Sequence, residues 1–347
     1  MKTVINKIIM SLFSLLNLLS AWIIRLAKLI IGNKKKSFIF YFFLFLIVSS
    51  KDANWTFIQS ACAQQDAQYS QYMFNQFAIN PAYAGSKDAI NTNIFYRSAW
   101  MGINGAPTTS SFDVQGPMHK KNAALGFNLI HESMGPKSTT GLFGSYAYRI
   151  KIRNGKLSFG LRAGIYQNVF DWGEINYKDK LDIYDTYNTA THIAFNTDAG
   201  LYYYSNTLYW GISVTHLNEG RTTNYPNKKG DYSTLLRHLF FTGGKAWEVT
   251  DKLIFSPSYM IKYVQGAPIC ADFNFSFLIK QQIWLGLSFR TGVGIVTYLQ
   301  YKITDKFKIG YAYDIGLNKL GASSNEIMIS YDIKVFKKPA FISPRYF

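Results

Sequence analysis

Charge is scarce in this chain. Only 16% of its 347 residues are Asp, Glu, Lys or Arg, against about 25% in an average soluble domain. Disorder does not explain the deficit, because disordered chains are poor in aromatics and here 17% of residues are Phe, Trp or Tyr. Cysteine is scarcer still: Cys62 and Cys270 are the only two, too few for a disulfide scaffold. Mean hydropathy is −0.03, which argues against several membrane-spanning helices, each needing about 20 consecutive apolar residues. The chain has no Gly-x-Ser-x-Gly elbow, no phosphate-binding glycine loop and no paired-cysteine site. Its histidines, His119, His131, His192, His216 and His238, are scattered and match no metal-ligand spacing. No catalytic residue, cofactor or metal site is therefore expected, although a Ser and a His brought together from different strands would escape such a reading. What remains is a protein that meets an apolar phase without long apolar runs. A transmembrane β-barrel does this by alternating lipid-facing apolar residues with small or polar residues facing the lumen.

The first 63 residues differ from the rest. They hold eight basic residues and one acid, Asp52, so they carry +7 of the formal +17. Lys34-Lys35-Lys36 followed by the run Phe38 to Val48 reads as the basic and apolar regions of a secretory signal, with Ala61-Cys62-Ala63 as a small-residue cleavage site before Gln64. The polar stretch 51–60 is long for a cleavage region, and Ile8 to Ile31 forms an earlier, interrupted apolar segment. Lipidation of Cys62 is the weaker reading, since Gln59-Ser60-Ala61 lacks an aliphatic residue. Cleavage after Ala63 would leave no pair for a disulfide, and Cys270 reads as a packing residue. The organisation expected is a leader over 1–63, an N-terminal plug or periplasmic segment over 64–88, an outer-membrane barrel over 89–336 and a tail over 337–347. The remaining net charge of +10 favours acidic surfaces or anionic headgroups, and no basic stripe with a reading module points to nucleic acid.

From residue 89 onward the period is two. In Leu157 to Tyr166 the odd positions are apolar and the even ones are Ser, Gly, Arg, Gly and Tyr. The pattern recurs around Ile283–Arg290, Phe307–Gly316 and Ile327–Val335. Segments of this kind predict an all-β antiparallel barrel of about 14 strands, at 89–100, 107–116, 121–132, 138–151, 155–170, 196–205, 207–218, 235–247, 252–264, 269–280, 282–291, 293–302, 306–316 and 326–336. An even count returns both ends to one side of a membrane, as single-chain bacterial barrels require. Even-numbered connections are tight, such as Arg153-Asn154 and Thr304-Asp305. Among the odd ones, 171–195 and 219–234 are long, while 133–137 and 317–325 are intermediate. A soluble sandwich or propeller explains neither the leader nor the aromatics, and no repeat of propeller length is present.

Two sets of residues carry the candidate function. Arg162, Arg290, Lys308, Asp314, Asp332 and Lys334 lie in the inward phase of their strands. A Lys or Arg on the lipid face would cost roughly 2–4 kcal/mol at the midplane, so these charges are expected in the lumen, either paired with one another or binding a client segment. Residues 68–86 precede the first strand. Pro81 favours extended Asn80 and Gly85 permits a turn, so the segment is expected to enter or seal the periplasmic mouth, with Tyr72, Met73 and Phe74 as apolar anchors beside Asn75. A short tether is the competing reading.

Gln68-Tyr69-Ser70-Gln71-Tyr72-Met73-Phe74-Asn75 and Asn80-Pro81-Ala82-Tyr83-Ala84-Gly85-Ser86, with Tyr96-Arg97, Tyr146-Ala147-Tyr148, Tyr209-Trp210-Gly211, Gly310-Tyr311-Ala312-Tyr313-Asp314 and the terminal Ser343-Pro344-Arg345-Tyr346-Phe347, resemble the PorP/SprF family of outer-membrane proteins of type IX secretion and gliding motility. The resemblance spans the chain after the leader. It implies a barrel akin to the long-chain fatty-acid transporters and a non-enzymatic role in secretion or surface attachment of clients such as gliding adhesins. The partners it implies are the lipid bilayer, type IX secretion components and the C-terminal domains of secreted clients. The alternative from the fold class is an outer-membrane channel for small apolar or polar solutes.

Overall fold

The computed structural model describes residues 66–87, 89–118, 122–175, 189–224, 232–317 and 321–334. Its strands are β1 (Ala89–Ser98), β2 (Thr108–Pro117), β3 (Ala123–Met134), β4 (Lys137–Ile152), β5 (Gly155–Phe170), β6 (Ala190–Tyr204), β7 (Leu208–Thr215), β8 (Arg221–Asn224), β9 (Tyr232–Thr234), β10 (His238–Lys245), β11 (Trp247–Thr250), β12 (Leu253–Val264), β13 (Cys270–Ile279), β14 (Ile283–Arg290), β15 (Gly294–Lys302), β16 (Phe307–Gly316) and β17 (Ser324–Lys334). Fourteen of these close an antiparallel barrel. Neighbours in sequence pair throughout, β10 bridges to β7 on one side and β12 on the other, and β1 joins β17 from Ala89↔Lys334 to Ser98↔Asn325. Closure removes the unpaired edges that an open sheet of this width would expose.

The alternation read from sequence is the burial pattern of the wall. Leu161, Ile193, Phe195, Leu125 and Leu287 are 53–65% exposed on the outside. Asn93, Asp113, Ser158, Asp272 and Glu326 are 0% exposed on the inside. A water-soluble protein has the opposite arrangement. Among the described residues no helix is long and apolar enough to cross a membrane, and the strands cross instead. Aromatic rings gather on the outer face near the strand ends, as in the stacked pairs Tyr203–Trp210, Trp247–Phe255 and Phe255–Phe277, where amphipathic rings suit the headgroup level.

One end of the barrel, where β1 begins, carries connections such as Arg153-Asn154 between β4 and β5 and residues 205–207 between β6 and β7. We call it the turn end. The opposite loop end carries the connections that follow β1, β5 and β7. Three expectations change here. The connection 133–137 is a tight turn rather than an intermediate loop, because β3 and β4 run on to Met134↔Lys137 and Gly135 takes φ +53°. The sixth strand starts at Ala190, six residues early, pairing with Phe170. The stretch 235–247 divides at Ala246: β10 starts at His238, and β11 continues beyond the break with a register shift against β12. A small hairpin, β8 with β9, lies within the long 216–237 connection. The expected leader, the last two residues of the expected barrel and the tail lie outside the described residues. Cys270, expected as a packing residue, is buried.

Candidate functional site

The lumen is occupied by the chain's own residues 66–87. Two short 3-10 turns, Gln76–Ala78 and Pro81–Tyr83, shape this segment. Pro81 holds Asn80 extended at φ −138°, ψ 109°, and the Asn80 side chain caps the second turn by accepting from the Ala82 amide at 2.9 Å. Its amide nitrogen donates to the Leu201 carbonyl of β6 at 3.0 Å. This close approach depends on two inward glycines: a Cβ at Gly200 would stand 2.1 Å from Asn80 Oδ1, and one at Gly160 would stand 2.2 Å from the Ala82 nitrogen. Gly85 takes φ +70°, and its carbonyl accepts from Arg149 at 2.6 Å. The turn there brings the chain out to β1.

The apolar anchors pack against inward aromatics. Phe74 makes edge contacts with Trp284 at 6.1 Å and Tyr298 at 5.8 Å. Tyr72 accepts from Asn274 at 2.5 Å through its hydroxyl, and Met73 is buried in the same cluster. A second cluster gathers Phe77, Ala82, Tyr83 and Ala84 with Ala124, Ala147, Tyr202, Tyr204 and Tyr209. Lys87, at the turn end, is 3% exposed and donates to the Phe74 carbonyl at 3.4 Å.

The inward charges form three groups. Toward the loop end Arg97 meets Asp314 at 2.6 Å and Glu326 at 3.5 Å, while Arg290 and Lys262 meet Asp272 at 3.2 and 3.0 Å. Arg290 also stands 3.8 Å from Asp314. At mid-height Arg162 pairs with Asp198 at 2.5 Å. Toward the turn end Lys308 pairs with Asp332 at 3.0 Å. Lys334 pairs through its backbone with Ala89, and its side chain lies outside the described atoms.

These charges also bind the segment, so the two candidate sets are one structure. Glu326 accepts from the amides of Ser70 at 2.6 Å and Gln71 at 2.8 Å, and the Ser70 hydroxyl donates to Asp314 at 2.7 Å. Arg290 donates to the Tyr69 carbonyl at 3.0 Å and Arg162 to the Ala78 carbonyl at 3.0 Å. Asn75 and Asn128 both donate to Asp113. Buried backbone groups need such partners, and a segment without regular structure finds them here in the wall. The contacts climb from Gly85 and Arg149 at the turn end to Ser70 and Arg97 at the loop end, so the segment traverses the lumen. A cavity of about 60 Å³ remains beside it, bordered by Tyr69, Ile79, Asn128, Tyr166 and Lys262.

Sequence reasoning missed Arg97, Asp113, Asp198, Lys262, Asp272 and Glu326. All six lie on the inward phase, and carrying the alternation through every strand would have found them. It also missed that His216 and His238 are both 1% exposed and lie together beside Asp66. His131 contacts Thr140 on an exposed part of the wall, and His119 lies outside the described residues.

A family model described as "Type IX secretion system membrane protein PorP/SprF" matches residues 61–331. No curated protein matches the chain. Among solved structures, a FadL homologue from Pseudomonas aeruginosa is 10% identical, with 80% of this chain and 96% of that one covered and a TM-score of 0.43. The Pseudomonas putida toluene transporter TodX is 10% identical over 80% and 97% of the two chains, with a TM-score of 0.41. Omp33 of Acinetobacter baumannii is 9% identical over 71% and 100%, with a TM-score of 0.40.

Proposed function

Since the chain belongs to the PorP/SprF family of type IX secretion system membrane proteins, we propose that it serves that system as a plugged outer-membrane barrel, a docking component rather than an enzyme or an open pore. Its clients on this reading are secreted proteins such as gliding adhesins, held through their C-terminal domains, and its turn end meets the periplasmic machinery. Short turns face the periplasm in bacterial barrels, so residues 66–87 enter from that side and reach the surface end.

The observation that carries the reading is the lumen filled by residues 66–87. Arg162, Arg290, Asp314 and Glu326 each hold the segment as well as an opposite charge in the wall. A channel for small solutes needs a continuous water path, whereas a docking component needs a rigid wall with exposed ends, and the filled interior supports the second. The inward charges thus serve the plug rather than a passing client segment.

Co-purification tests this. The intact protein, extracted from outer membranes in mild detergent, is expected to bring type IX components or client C-terminal domains with it. Recovery of neither, from cells actively secreting such clients, contradicts the proposal. Ion conductance by the intact protein in planar bilayers favours the solute-channel alternative.

A further inference from the structure

At the loop end the plug segment finishes against two histidines. The ladder places His238, the first residue of β10, opposite Thr215, the last of β7. His216 follows at φ +57°, a conformation rare for a residue with a side chain, with its amide donating to Asp198 at 2.9 Å. The two imidazoles lie with ring centroids 5.6 Å apart. Asp66 reaches both, with Oδ1 2.6 Å from His216 Nε2 and Oδ2 3.9 Å from His238 Nδ1. One ligand atom from each of the three lies within 4.8 Å of the others.

The protons on these rings can be assigned from their other partners. The Asn196 amide nitrogen donates to Asp198 at 2.9 Å, which leaves its oxygen facing His216 Nδ1 at 2.7 Å. That nitrogen therefore carries the proton, and His216 Nε2 presents a lone pair to a carboxylate oxygen. Two acceptors in contact require a cation between them. His238 Nδ1 lies 2.9 Å from the Leu236 carbonyl and donates to it, so its lone pair is on Nε2, which is buried without a partner. A proton between His216 and Asp66 resolves the first conflict and leaves the second. A metal ion between the three groups resolves the first, and it resolves the second as well once the His238 ring turns to bring Nε2 toward Asp66 in place of Nδ1. In His216, moreover, the Nδ1–H is already fixed by the Asn196 oxygen, the outer-sphere support typical of ligating histidines.

We propose that Asp66, His216 and His238 bind a divalent transition metal, with zinc the class best suited to two imidazoles and one carboxylate. Ligation through His238 Nε2 requires that ring to turn and release the Leu236 carbonyl, because Nδ1 is the nitrogen that stands 3.9 Å from Asp66 Oδ2. The metal clamps the start of the plug to β7 and β10, closing the segment at the surface end as Gly85 and Arg149 fix it at the turn end. This site is independent of the docking role proposed above, and either stands if the other fails.

The test uses the full chain in detergent, stripped with chelator and titrated with cobalt(II) near neutral pH. The expected result is one equivalent bound per chain with visible ligand-field bands, displaced by zinc. Asp66→Asn and His238→Gln should each weaken cobalt binding by about tenfold or more, whereas His131→Gln and His192→Gln should leave it unchanged. Asp66 is not part of the wall, so Asp66→Asn keeps the test valid if the histidine variant fails to fold, with heat-modifiable gel mobility reporting the folded barrel. Absence of stoichiometric binding by the unmodified chain overturns the proposal. So does equal affinity in Asp66→Asn and the unmodified chain, which would make the cluster a hydrogen-bonded ion pair only.

Discussion

Replacing Arg162 with Met separates two energies that the structure superimposes. The guanidinium pairs with Asp198 at 2.5 Å and donates to the Ala78 carbonyl at 3.0 Å, with the Phe77 carbonyl at 3.4 Å. Loss of the cation leaves Asp198 buried with only the Asn196 amide and the His216 backbone as donors. Breaking a buried pair in this way costs about 3–5 kcal/mol, and that cost falls on the barrel. Release of the plug is a different equilibrium. In the unmodified protein the Arg162–Asp198 pair survives when the segment leaves, so only the bond to the segment carbonyls is lost, worth about 1.5–3 kcal/mol for a charged donor. Arg162→Met should therefore raise the population of the released segment by about tenfold to about 150-fold. Chymotrypsin cleavage at Tyr69, Tyr72, Phe74 and Phe77, in the regime where cleavage tracks the open population, reads that increase. Urea unfolding in lipid vesicles reads the larger loss in the barrel. If cleavage of a folded barrel changes by less than about threefold, the wall charges do not hold the segment and the reasoning fails.

Other substitutions probe separate parts of the account. Gly200→Val should displace Asn80, because a Cβ there meets Asn80 Oδ1 at 2.1 Å; chymotrypsin sensitivity should rise with the wall still folded, and an unchanged digestion pattern would show that the contact is dispensable. Phe74→Ala removes a ring packed between Trp284 and Tyr298 and should lower plug stability by about 3–5 kcal/mol, again read by protease sensitivity. Leu161→Arg puts a charge on the outer face at a position 65% exposed and should cost roughly 2–4 kcal/mol of folding in vesicles, while Leu161→Phe should cost little.

The wall was legible because its signal is local. In β5 the apolar Phe159, Leu161 and Ile165 alternate with Ser158, Gly160 and Arg162, and β5 runs over the residues read from sequence, 155–170. Strand ends were less so. β6 starts at Ala190 because its first residues pair with the end of β5, which adds no new alternation to the sequence. The plug anchors Tyr72, Phe74 and Asn80 stood out by residue type and by Pro81. Their partners did not, because Asp113, Asp272 and Glu326 are unremarkable acids until closure turns fourteen inward faces toward one axis. The histidines were hardest: His216 and His238 are 22 positions apart with a long connection between them, and only the β7–β10 ladder makes them neighbours.

The plugged barrel is tested most directly by conductance. The intact protein in planar bilayers is expected to stay closed to ions, and a variant lacking residues 68–80 should show a steady open current through the vacated lumen. An intact protein that conducts as freely as the deletion variant would contradict the account.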